Sequence, residues 1–236
     1  MKHLKINTIT SLGLVIAMFS LLMGPFAQVA EAAITNSSDT MSRLGLSDNT
    51  PQVLSDHAIQ FTTSLGVASG STVVITFPSD FDGLNTSGDT TGPLDFSDVD
   101  LWEDTTPDTT CEGDAVAETL AASAPTVSQW SAVFSGGLNN VLTFTSGGAS
   151  AIIAATSQVC VEIGENAVGG SANSQYENTS TSGSKIITVV AGAEASQNIT
   201  VNILADDQVA VSSTVNQSIT FSLGATTLVL GTLTST

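Results

Sequence analysis

Between Asp80 and Glu118 the chain carries twelve carboxylates and not one Lys or Arg. Hard carboxylate oxygens at this density are what Ca2+ takes, about six to eight at a time, and it tolerates irregular loops. The candidate ligands are Asp80, Asp82, Asp95, Asp98, Asp100, Glu103 and Asp104. Their spacing is not that of an EF-hand, because the turn glycine is absent and Leu101-Trp102 occupies the middle. A solvated acidic loop without an ion is the competing expectation. Trp102 beside these acids is either a platform for a sugar ring or an aromatic packed beneath the loop, and Trp130 carries the same two readings.

Other chemistry is scarcely provided for. Lys and Arg together number four against 22 Asp and Glu, a formal net charge of −18. Two of the four, Lys2 and Lys5, lie in the first few residues, which leaves Arg43 and Lys185. His57 has no second histidine near it for a transition-metal site and abuts a strand, so an exposed or packed histidine is expected. Ser182-Gly-Ser-Lys185 matches Ser-x-x-Lys, but it runs straight into Ile186-Ile187-Thr188-Val189-Val190 instead of opening a helix. Two acids of the loop would meet the inventory of a glycoside hydrolase, yet nothing in the sequence fixes their separation. A non-catalytic role is therefore expected. Nucleic acid and anionic lipid are poor partners, because like charges repel and no basic patch can release counterions.

The first residues read as an export signal. Met1-Lys2-His3-Leu4-Lys5 is a short positive region, Leu12 to Met23 is apolar, and Ala30-Glu31-Ala32 places small residues where a signal peptidase cuts. The apolar run is shorter than the ~20 residues of a spanning helix. Residues 1–32 are thus expected to be a signal peptide, with no membrane span after cleavage and a secreted, extracellular or cell-surface product. Cys111 and Cys160 fit an oxidising compartment and are expected to form a structural disulfide. Closing that loop of about 50 residues is worth on the order of 4 kcal/mol in the chain-entropy model.

Period-two patterns then set the fold class. Ile59 and Phe61, Val73, Ile75 and Phe77, Leu142 and Phe144, and Ile199, Val201 and Ile203 each alternate, and Ile186–Val190 is nearly continuous and β-branched. Turn clusters such as Ser69-Gly70-Ser71, Ser135-Gly136-Gly137 and Ser146-Gly147-Gly148 separate them. Short strands with this punctuation predict an all-β, immunoglobulin-like β-sandwich over residues 33–206. A few helical turns would fit Ala115–Ala122 and Ala149–Ala155, the first better read as a loop excursion.

Three stretches carry a resemblance: Asp39-Thr-Met-Ser-Arg43-Leu, His57-Ala-Ile-Gln-Phe61-Thr-Thr, and Gly66-Val-Ala-Ser-Gly70 through Phe77-Pro-Ser-Asp-Phe81. Together they resemble the N-terminal part of secreted, immunoglobulin-like repeat surface proteins of candidate-phyla bacteria, and Asp207–Phe221 resembles the start of a following module. The resemblance implies a surface protein and brings no functional residues with it.

Residues 207–236 form the last segment. Val209, Val211, Val215, Ile219, Phe221 and Leu223 fall on one side of a long alternation, with small polar residues on the other. A strand of ~15 residues spans about 50 Å, longer than a usual strand. It is read either as an assembly strand donated to a neighbour or as the opening of a second module. The expected function is a non-catalytic exported structural protein, a filament or surface-layer subunit that associates with itself or with other surface proteins. An adhesion or glycan-binding module is the alternative.

Overall fold

A computed structural model describes residues 32–47, 52–85, 92–107, 115–168 and 174–207. The strands are β1 (Thr35–Met41), β2 (Leu54–Ser55), β3 (His57–Thr62), β4 (Thr72–Thr76), β5 (Val99–Asp104), β6 (Val116–Ala117) and β7 (Leu120–Ala121). They continue as β8 (Trp130–Ser135), β9 (Val141–Ser146), β10 (Gln158–Ile163), β11 (Tyr176–Glu177), β12 (Gly183–Ala191) and β13 (Gln197–Ile203). One sheet has the order β1-β3-β10-β5-β6, and a second has β13-β12-β4-β9-β8-β7. A two-stranded ladder, β11-β2, stands beside them. The fold is all-β, with the sheets packed as a sandwich.

Alternation decides which side chains fill it. In β4 only Val73 and Ile75 are buried, and in β13 only Ile199, Val201 and Ile203 are. Their apolar face turns to the other sheet while the other face carries half-buried Val74 in β4 and exposed Asn198, Thr200 and Asn202 in β13. β3 contributes Ile59 and Phe61, β5 Val99 and Leu101, β10 Val159, Val161 and Ile163, and β9 Leu142 and Phe144. The alternations expected between Ile59 and Ile203 thus appear as core-facing strands. β10 is central, paired with β3 on one side and β5 on the other, and is buried along nearly all its length.

The expected helical turns are absent. Ala115–Ala122 instead holds β6 and β7, the first joined to β5 and the second running parallel to β8. One short segment therefore ties the two sheets along one side. Around Ile153 the chain turns and bridges to Val67. There Gly66 has φ +74°, and a Cβ would collide with the carbonyl of Ile153, so a side chain is excluded by space as well as by backbone conformation.

The other side is tied at two points. Ala33 bridges Ala195 and Gly45 bridges Leu204, both parallel, with Leu204 N donating to Leu44 O at 2.7 Å and Leu46 N to Leu204 O at 2.9 Å. Between these points β13 is paired with β12 alone. Asp207 closes the corner: its Oδ2 accepts from Gly45 N at 3.0 Å and its Oδ1 from Arg43 Nη2 at 3.4 Å. A Cβ at Gly45 would meet the Asp207 carboxyl at 2.7 Å, so a side chain there would displace that carboxylate. Asp207, the last described residue, thus still contacts Arg43 and Gly45, one residue past the expected boundary at 206. Val209, Val211, Val215, Ile219, Phe221 and Leu223 lie outside the described residues, as do residues 1–31.

Candidate functional site

β3 opens with His57, whose side chain points inward with Ile59 and Phe61. The β1–β3 register sets Asp39 opposite Ile59 and Met41 opposite His57, so Asp39 is the diagonal neighbour of His57 on one face. Asp39 Oδ2 lies 2.8 Å from His57 Nδ1, and both side chains are fully buried. Ser55 ends β2 two residues earlier, and its Oγ stands 3.4 Å from His57 Nε2. The same hydroxyl donates to Asn178 Oδ1 at 2.6 Å.

Asn178 follows β11 and is fixed in orientation. Its Nδ2 donates to the carbonyls of Gly45 at 2.7 Å and Arg43 at 3.2 Å. Two acceptors on that side hold the NH2 group there and aim the amide oxygen at Ser55. Aromatic rings enclose the imidazole: Phe77, Phe81 and Tyr176 sit edge-on with centroids at 5.0, 5.9 and 5.6 Å. Tyr176 donates to Asn139 O at 2.8 Å, and burial pushes its phenol well above the ordinary value. Asp39 Oδ1 is buried with no partner among the described residues. The arrangement is an acid, an imidazole and a hydroxyl in line, closed off from solvent and facing a carboxamide.

Of the exposed or packed histidine expected from the sequence it is the packed one, but Asp39, Ser55 and Asn178 were not expected beside it. The one legible signal was Ser55 and His57 at i and i+2, which places both on one face of extended chain.

The acidic residues are scattered, and most cap loops. Asp82 Oδ1 accepts from Leu84 N at 2.8 Å. Asp95 caps the 3-10 turn Phe96–Asp98, accepting from Ser97 N at 2.7 Å, while Asp98 reaches back to Asp95 N at 2.9 Å and also holds Ser174 N at 3.2 Å. Asp104 Oδ1 accepts from Thr106 N at 2.7 Å, and Glu103 Oε1 from Ala154 N at 2.6 Å and Ser157 Oγ at 2.8 Å. Asp100 is buried on β5. Asp80 pairs with Lys185 Nζ at 2.6 Å, which is where the lysine of the Ser-x-x-Lys match goes. Among the described residues no three His, Cys, Asp or Glu side chains come together in a way that would hold a metal ion. The seven candidate ligands do not converge, because backbone amides on separate loops have claimed most of them. Asp89, Asp108, Glu112 and Asp114 lie outside the described residues.

Two carboxylates do meet. Glu118 N donates to Leu101 O at 2.8 Å, and with Glu103 opposite Val116 in the β5–β6 register this makes Glu118 the diagonal neighbour of Glu103. Desolvation first, and then the Glu103 charge, push the Glu118 carboxyl up, against the Trp130 indole, which donates to it at 3.1 Å. Trp130 is fully buried, so it is a core residue and not a sugar platform. A cleft of about 190 Å3 lies alongside, lined by Phe96, Val99, Asp100, Glu118, Thr119 and Leu120, small for an organic ligand. Trp102 is half-buried opposite Cys160 on the outer face of the first sheet, its indole nitrogen without a partner among the described residues. Cys160 is buried, and no free cysteine occurs among the described residues; Cys111 lies outside them.

No protein-family model, curated protein or solved structure matches this chain.

Proposed function

We propose that the chain is a non-catalytic structural subunit of a cell surface, an exported immunoglobulin-like module that assembles with copies of itself by β-strand addition. The observation that carries this reading is the edge at β13. Gln197–Ile203 is ladder-paired on one side only, with β12; β1 runs beside its other edge, and only the bridges Ala33–Ala195 and Gly45–Leu204, which flank β1, are formed there. A seven-residue strand whose second ladder is closed only at its ends is a template for an incoming strand that takes the place of β1. The 208–236 segment leaves from Asp207, at the corner beside that edge, carrying its alternating apolar face. A disulfide between Cys111 and Cys160 belongs to the same reading, since an exported module gains from fastening its acidic loop to the central strand.

Electron microscopy and light scattering of the chain from Ala33 onward test it. Donation of the segment predicts fibres or higher oligomers for the full chain, and folded monomers when the cut is made after Asp207, so that the Gly45 contact survives. The truncated protein should bind a synthetic 208–223 peptide. A monomeric full chain, together with a truncated form that ignores the peptide, would discard strand addition.

A further inference from the structure

We propose that Ser55, His57, Asp39 and Asn178 form a self-modification site that joins Ser55 Oγ to Asn178 Cγ as an intramolecular ester, with release of ammonia. Ser55, His57 and the Asp39 side chain are closed to solvent and Asn178 is 2% exposed, so a hydroxyl, base and acid arranged in this way have no route to an external substrate. The electrophile within their reach is the side-chain amide of Asn178, whose oxygen is 2.6 Å from the hydroxyl.

Each group has a chemical task. With Nδ1–H donated to Asp39, the His57 tautomer leaves the Nε2 lone pair facing Ser55 Oγ, as a base that activates a hydroxyl must. Asp39 is the positioning residue that fixes that tautomer. Rotation of the Ser55 hydroxyl from Asn178 to His57 frees an oxygen lone pair for attack on Cγ. The Oγ–Cγ bond forms as the Ser55 proton passes to Nε2. The Cγ–Nδ2 bond then breaks, and the imidazolium returns that proton to the departing nitrogen, which leaves as ammonia. One alcohol and one primary amide become one ester and one ammonia, with no oxidant and no second reactant. The Gly45 and Arg43 carbonyls that hold Nδ2 also keep the leaving group turned away from the attacking oxygen. Phe77, Phe81 and Tyr176 exclude the water that would hydrolyse the product.

The link would close a separation of 123 residues between β2 and the residue after β11. A covalent closure of that kind restrains the unfolded chain as a disulfide does. The site concerns one folded subunit and does not depend on strand addition.

Intact mass spectrometry tests it on the reduced, denatured full chain after days of incubation in the folded state at neutral pH. The expected change is a loss of about 17 Da for one ammonia, with peptides containing Ser55 and Asn178 recovered as one joined species that hydroxylamine separates. Simple deamidation would instead add about 1 Da and join nothing. Ser55→Ala should abolish the loss, and Asp39→Asn should slow its appearance by at least tenfold while the far-ultraviolet spectrum stays that of the folded protein. Wild-type protein that keeps its full mass and yields no joined peptide overturns the proposal. The same mass loss in Ser55→Ala also overturns it.

Discussion

Replacing Asp39 by Ala removes the one acidic partner of a fully buried imidazole and frees β1 from its deepest anchor. Breaking a buried, hydrogen-bonded pair from one side costs roughly 3–5 kcal/mol, most of it the unpaired group left behind. For a domain of this size each kcal/mol moves Tm by roughly 2–4 °C, so Asp39→Ala should lower Tm by about 6–20 °C. Asp39→Asn keeps an oxygen facing Nδ1 and should lose only about 1–1.5 kcal/mol, the difference between a charge-assisted and a neutral hydrogen bond. The double variant Asp39→Leu, His57→Phe removes both polar groups and offers a ring to the cage of Phe77, Phe81 and Tyr176. It should be more stable than Asp39→Leu alone, with a coupling energy of at least about 1 kcal/mol in the cycle closed by the single variants Asp39→Leu and His57→Phe. Urea unfolding in a Ser55→Ala background is the assay, so that no Ser55–Asn178 link is present in any arm. Equal m values license the comparison. An Asp39→Ala loss below about 0.5 kcal/mol, or an additive cycle, would refute the idea that this pair holds β1.

Glu118→Gln should stabilise the protein at neutral pH: burial first and the Glu103 charge second disfavour the Glu118 charge, while the amide oxygen still accepts from Trp130. A gain of about 0.5 kcal/mol, the scale of a cross-strand charge pair, would appear as a Tm rise of roughly 1–2 °C, and a fall would contradict the repulsion. Burial opposes ionisation of Asp80, but the Lys185 and Thr179 hydrogen bonds and the Lys185 charge outweigh it and hold the carboxyl below its ordinary 3.8. Such a group adds stability above the unfolded pKa and loses it as pH falls through the folded one, so Lys185→Met should lower stability at neutral pH, and its difference from the wild type should vanish as pH falls below the folded value. Chelator followed by millimolar calcium should leave Tm where equal ionic strength of NaCl leaves it, and a calcium-specific rise would mean that the acidic segment does gather an ion.

The sandwich was legible because burial alternates with period two and the sequence writes that period openly in Val73-x-Ile75 and Ile199-x-Val201-x-Ile203. Ala115–Ala122 was read as a loop excursion in preference to helical turns because its apolar residues form no clear stripe, whereas pairing with two residues of β5 and two of β8 draws two short strands from it. The acidic candidates were chosen by chemical type alone. What type does not reveal is whether a nearby backbone amide has already claimed the oxygen, as Leu84 N has for Asp82 and Thr106 N for Asp104. The His57 cluster escaped because its members come from β1, β2, β3 and the residue after β11, and only the register of β1 on β3 brings Asp39 to the imidazole.

A chain with four basic residues cannot neutralise its buried carboxylates with cations, and the loops show the physical substitute. Asp56 Oδ1 takes Glu165 N at 2.7 Å and Gln175 Nε2 at 2.8 Å, Glu194 takes Leu65 N at 2.8 Å, and Glu177 takes the Ser47 hydroxyl at 2.6 Å. Hydrogen bonds to an ionised oxygen are about twice as strong as neutral ones, and those from Glu165 N and Leu65 N also satisfy backbone groups that would otherwise be left unpaired. Acidic residues therefore serve here as loop fasteners, which accounts for carboxylates that are buried, dispersed and far from any cation. The Glu103–Glu118 contact is the exception, since Glu118 receives only the Trp130 indole and keeps a like charge beside it. The Asp39 pair is the other departure, because its partner is a side chain that can carry a proton. Loop fastening, with the Lys185 and Arg43 pairs of Asp80 and Asp207, accounts for the other partnered carboxylates named above without invoking reactivity, and that is why chemistry is assigned to the His57 cluster and not to the acidic segment that first suggested it.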